Sequence, residues 1–204
     1  MQRFGRGKEL MPGQVRPVAD ERDGLLSYLA QQRDVIRIAA YGLTDEQARA
    51  TPTAGSLSVG GLIKHVASTE RGWIDIALQR ERPTNEDAQD NYEENFRLGP
   101  DETLSDVFRL YDEVAQETAD AIAGIADLDQ PVPVPRNAPW FPADIDAWSV
   151  RWVLLHVITE TARHAGHADI VREMVDGATA FPLMAAAEGW PATDWMQPWE
   201  PPAS

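Results

Sequence analysis

The chain of 204 residues contains no cysteine. That absence excludes disulfides, thiolate metal ligands and a cysteine nucleophile, so any thiol chemistry must use a thiol supplied from outside. Cationic side chains are scarce: 18 Lys and Arg stand against 33 Asp and Glu, a formal net charge of -15. Binding to a phosphate backbone depends on clustered Lys and Arg that release counterions, which argues against a nucleic-acid partner. No apolar run approaches the roughly 20 residues needed to span a bilayer. The first ten residues are basic but lack the apolar core of a signal peptide, so the expectation is a cytoplasmic protein with no membrane partner. Histidine is also rare, with four in the sequence.

The remaining composition, 43% hydrophobic and 25% charged, is that of a globular protein long enough for one well-cored domain. Residues 1–19 read as an extended lead, punctuated by Pro12, Gly13 and Pro17. Residues 20–178 carry four long helical patterns, and 179–204 form a Trp- and Pro-rich tail whose rings are expected to dock on the bundle or in a subunit interface. The first helix opens near Asp20, repeats through Leu25, Leu29 and Ile36, and stops at Gly42. Thr44 and Gln47 predict a capping box on a short helical turn. Ser58 is the expected N-cap of the second long helix, with Leu62, Val66, Trp73 and Ala77 on its apolar side. The third runs from about Thr103 to Ile125, with Val107, Tyr111, Val114 and Thr118 read as core.

Long connections separate the second and third, and the third and fourth, of these helices. The acidic stretch from Glu81 to Pro100 reads as a solvated loop, with a lid or partner-binding loop as the functional alternative. Prolines from Pro131 to Pro142 keep the chain extended until Asp146 or Ser149 caps the fourth helix, which ends before Gly177. Because that helix is hydrophobic around much of its circumference, including Trp152, Leu155 and Ile170, it is expected at the centre of an all-α bundle.

The chemistry sits in two segments, 61–65 (Gly-Leu-Ile-Lys-His) and 160–167 (Glu-Thr-Ala-Arg-His-Ala-Gly-His). At about 100° per residue, His156, Glu160, His164 and His167 fall within an arc of roughly 80° on one helix. His156 and His164 are separated by about 12 Å of axial rise, too far for one ion. The workable pairs are therefore 156/160, 160/164 and 164/167. A pair leaves a divalent ion under-coordinated, and His65 is the remaining histidine able to complete a three-ligand site with an open position, the arrangement of a catalytic zinc. A lone histidine is more often a hydrogen-bonded core or surface residue than a ligand, so the signal lies in the cluster. Thr69 and Gly72, small residues one and two turns beyond His65, leave space beside an ion or merely permit close helix packing.

A four-helix pattern with His65 early in the second long helix and Glu160-x-x-x-His164-x-Gly166-His167 in the fourth resembles the DinB superfamily, in its actinobacterial, mycothiol transferase-like branch. The similarity spans roughly residues 20–178. It implies a four-helix bundle of the DinB/YfiT type, and a metal held by His65, Glu160 and His164. Many relatives have histidine where this chain has Glu160, whereas the mycothiol-dependent maleylpyruvate isomerases resemble it in using glutamate. That likeness points to a metal-dependent enzyme using a low-molecular-weight thiol, mycothiol first, in S-transfer to an electrophile or in isomerisation.

The expected ion is zinc, with nickel, iron or manganese as alternatives that the same ligands accept. His167 and His156 are candidates for a catalytic base, since imidazole titrates near neutrality. Arg163 is a candidate for holding an anionic group, or else a solvent-facing residue; Thr69 is a candidate cofactor contact. The resemblance also implies a homodimer. The alternatives are a non-enzymatic metal- or ligand-binding bundle acting in a stress response, and a metal-dependent hydrolase.

Overall fold

A computed structural model describes residues 13–80, 94–136 and 141–201. It is all-α apart from one short β pair. Helices α1 (Glu21–Ala39), α2 (Asp45–Arg49), α3 (Val59–Ala77) and α4 (Leu104–Gly124) are followed by strands β1 (Pro131–Pro133) and β2 (Ala147–Ser149), then α5 (Val150–Asp176) and α6 (Ala180–Glu188). Local side-chain chemistry sets most helix starts. The side chains of Asp20, Ser58, Thr103 and Ser149 each accept from a backbone N–H three residues on, satisfying a donor that the helix itself cannot. Thr44 and Gln47 close the expected capping box on α2. Helix α5 ends at Gly177, whose φ of 78° is the left-handed conformation that glycine adopts without strain.

The four long helices form the bundle. Arg151 of α5 binds Glu21 at the start of α1 at 2.6 and 3.0 Å, and Arg172 reaches the carbonyls of Ala39 and Tyr41 at its far end, so α1 and α5 run parallel. Arg71 pairs with Glu117, and Gly60 meets Leu98 just before the start of α4, so α3 and α4 are parallel to each other. Parallel neighbours need a connection that returns to the starting end. The long acidic stretch after α3 is thus required by topology, across a helix that rises about 28 Å. Its portion 81–93 lies outside the described residues, as do 1–12 of the N-terminal lead and Pro139.

Two apolar clusters fill the bundle, one around Ile36, Leu62, Val66, Val107 and Val171, the other around Leu29, Ile74, Ile122, Val153 and Leu154. A polar layer separates them. Glu70, 0% exposed, accepts from Arg33 Nε at 3.0 Å and Nη2 at 2.5 Å, and Thr118 donates to it at 2.6 Å. One carboxylate therefore ties α1, α3 and α4 together. Thr118, read from its spacing as core, is buried for this hydrogen bond.

Three expectations are revised. Helix α5 does not sit at the centre of the bundle: Leu155, Ile170 and Met174 on its outer side are 48%, 58% and 53% exposed. An even spread of apolar residues around a helix does not distinguish a central position from a second apolar surface. Helix α6 lies in the stretch read as a Trp- and Pro-rich tail; its Pro182 occupies the first turn, where the missing N–H costs nothing. The chain before α5 is extended but also pairs, with Val132 opposite Trp148 in an antiparallel register. Beyond α6, Trp199 lies with its ring 4.9 Å from the guanidinium of the fully buried Arg172 and donates its backbone N–H to Pro182.

Removing one partner from a buried, hydrogen-bonded ion pair leaves the other charge uncompensated. Glu70→Ala should lower the unfolding free energy in urea by about 3–5 kcal/mol, and a loss below about 1 kcal/mol would contradict the role given to this layer.

Candidate metal centre and aromatic groove

Helices α3 and α5 face each other in opposite directions, and each presents a ladder with a step of four residues. On α3 the rungs are His65, Thr69 and Trp73; on α5 and the residue pair before it they are Trp148, Trp152, His156, Glu160 and His164. Opposite directions set His65 against Glu160 and His164, and Trp73 against His156 and Trp152. Residues four apart share a face, so each ladder is continuous along its helix.

At one end, His65, Glu160 and His164 each offer a donor atom, and these atoms lie within 4.8 Å of one another. His65 Nε2 is 3.7 Å and His164 Nε2 is 3.1 Å from Glu160 Oε1. The pair 160/164 is thus the one that His65 joins. Burial, reinforced by the neighbouring His164, pushes His65 down to about 4, and burial also lowers His164. Both imidazoles are neutral near pH 7, the form that can ligate a metal.

Three further contacts fix the two rings. Phe96 stacks on His65 with centroids 3.7 Å apart and planes 18° from parallel. It reaches that position because Gly61 has no side chain: a Cβ there would overlap the backbone carbonyl of Phe96. Thr69 Oγ1 lies 3.4 Å from His65 Nε2. His167 Nδ1 lies 3.4 Å from His164 Nδ1, on the opposite edge of that ring from Glu160. In the tautomer in which His167 Nδ1 accepts, this contact holds the His164 proton on Nδ1 and leaves Nε2 free.

From the triad a groove of about 1140 Å³ runs along the two ladders. His65, Thr69, Gly72, His156 and Glu160 line it. His167 and Arg163 are not among its lining residues, and Arg163 is exposed. Trp73 and Trp152, read as apolar-face positions of their helices, form groove wall together with Trp148 and Phe141, and Trp73 also packs against the second apolar cluster. The periodic signal identified the correct helix face, but an apolar stripe reads the same whether it meets another helix or a cavity. Phe96 carried no signal of its own, being in a loop. A larger cavity, about 1330 Å³, lies elsewhere between Tyr41, Phe108 and Trp199; it contains none of the triad, and its Arg37 is paired with Asp112 at 2.8 Å. The donor cluster, not cavity size, identifies the candidate site.

No helix among the described residues is long and apolar enough to cross a membrane. No curated protein matches the chain. Residues 24–177 match the family model described as mycothiol-S-transferase. That span holds the four bundle helices, apart from the first turn of α1, together with both ladders. The chain therefore belongs to the mycothiol-S-transferase family, a DinB-like family of helical bundles.

Proposed function

We propose that this protein is a metal-dependent S-transferase in which His65, Glu160 and His164 hold one divalent ion, with zinc the first candidate and mycothiol the thiol cosubstrate. The observation that carries the reading is the convergence of three donors from α3 and α5 at the head of a groove. The donor set fits an ion: two neutral imidazoles and one carboxylate leave a divalent cation with residual positive charge. An ion bound there lowers the pKa of an incoming thiol and supplies a thiolate at neutral pH.

The chain's own residues do the rest. Phe96 keeps the His65 ring from turning, Thr69 lies beside the His65 nitrogen that faces Glu160, and His167 orients His164 from behind. His156, on the groove wall one turn from Glu160, is the acceptor for the thiol proton. Half-buried Glu160 faces the groove, which leaves a side of the triad open to the cosubstrate. Arg163, close enough for its charge to be felt at His164, is the contact for an anionic group reaching beyond the groove. At about 1140 Å³ the groove exceeds the roughly 300–1,000 Å³ of a pocket for one drug-sized ligand, room for a thiol and an electrophile together. A homodimer belongs to the same reading, supported by the exposed apolar side of α5.

Purified protein should contain about one divalent ion per chain, and the alanine variants at 65, 160 and 164 should lose it as purified, without added metal, while circular dichroism stays helical; retained stoichiometry would reject the ligand set. With mycothiol and a panel of electrophiles, the loaded protein should form thioether adducts, and His156→Gln should lower kcat by roughly 10²-fold or more. Turnover of esters or amides in place of thiols would instead favour a hydrolase. Sedimentation equilibrium should give a dimer that Ile170→Glu dissociates, whereas a monomeric wild type would contradict the assembly.

A further inference from the structure

The groove holds more information than the triad alone uses. Beyond His156 its wall is a stack of rings. Trp148 and Trp152 lie 4.5 Å apart and 4° from parallel, and Trp152 and His156 lie 5.1 Å apart and 5° from parallel. Trp73 meets all three edge-on from α3, at 5.4, 5.6 and 4.4 Å. Phe141 closes against Trp73 and Trp148 at 6.0 and 5.5 Å. The stack is set by the fold: β1 holds Trp148 in its register, and the Ser149 cap fixes the first turn of α5, which carries Trp152.

Charge is distributed unevenly along this groove. Among its described lining residues Glu160 is the one acidic group, at the triad end, and there is no Lys or Arg. Trp152 precedes Glu160 by eight residues, about 12 Å of helix rise. An ion at the triad would therefore offer little to an anionic group lodged among the rings. A carboxylate placed there would lose its water without gaining a cation or a hydrogen-bond donor fork. A flat uncharged ring, by contrast, would replace water against ring faces and edges spaced for stacked and T-shaped contact.

We infer that the Trp73, Trp148, Trp152 and Phe141 end of the groove is the electrophile subsite, and that it selects flat, apolar, uncharged electrophiles, aromatic ones above all, against carboxylated ones. This rests on the transfer reading for the word electrophile, but the selectivity of the subsite stands on ring geometry and charge. With an activated haloarene the sulfur of the thiol would form the new C–S bond, the halide would leave with the bonding electron pair, and the thiol proton would pass to His156 and from it to the buffer. The reacting carbon would extend from the rings past His156 toward the triad, where the sulfur can meet it.

The test uses two non-reacting probes on the full, metal-loaded chain without thiol: 1,3-dinitrobenzene and its carboxylated analogue 3,5-dinitrobenzoate. Titration calorimetry should show the neutral ring binding at least tenfold more tightly. Trp152→Ala should weaken it about tenfold and Trp152→Phe should largely restore it, a readout that a merely destabilised fold would not give. Equal or tighter binding of the benzoate to wild type, or an unchanged affinity in the Trp148→Ala/Trp152→Ala double variant, would overturn the inference. The His65→Ala/His164→Ala variant keeps the two questions apart. Its retention of arene binding supports the subsite whatever becomes of thiol transfer, and its loss of arene binding, with the helices intact, would count against it.

Discussion

The antiparallel register of α3 against α5 is the constraint on which the site depends. A helix repeats its face every three to four residues, so two facing helices in a fixed register must align whole ladders, not single pairs. Once His65 is opposite Glu160 and His164, Trp73 necessarily falls opposite His156 and Trp152. The end that carries the three donors and the aromatic end are thus one geometric decision. A shift of one turn between the helices would disperse both.

That register is held from outside the groove. The buried Glu70 carboxylate, five residues along α3 from His65, is locked to Arg33 and Thr118 and fixes the helix against α1 and α4. At the other end Arg172 binds the carbonyl of Ala39, the last residue of α1, and forms a bidentate pair with Asp176, both at 2.9 Å, so α1 and α5 are fastened directly. Buried ion pairs of this kind contribute little net stability against apolar replacements, but an unpaired partner is costly, and a shifted register would create one. The polar layer thereby disfavours the wrong alignments, with the two apolar clusters supplying the driving force.

Much of this was legible in the chain. Asp20, Ser58 and Thr103 announced helix starts, and Ser149 was one of two candidates with Asp146, because a cap is a local interaction between a side chain and a backbone three residues away. His65, Glu160 and His164 stood out because histidine is rare here and the helical step is fixed, although spacing left three pairs open on the fourth long helix and only the family resemblance chose among them. What stayed hidden was non-local. Trp73 and Trp152 have the periodicity of core residues, and nothing along the chain says that a groove opens between their helices. Phe96 reaches His65 only because Gly61 admits its backbone, a contact across 35 positions. The parallel course of α3 and α4, which demands the long acidic connection, is equally invisible to periodicity.

The central claim is that imidazoles from two helices share one ion with a carboxylate. X-ray absorption at the edge of the bound metal tests it most directly. The account predicts a first shell of nitrogen and oxygen with the scattering pattern of two imidazoles, falling to one in His65→Ala reconstituted with excess metal. A wild-type spectrum with a single imidazole, or one that His65→Ala leaves unchanged, would contradict it.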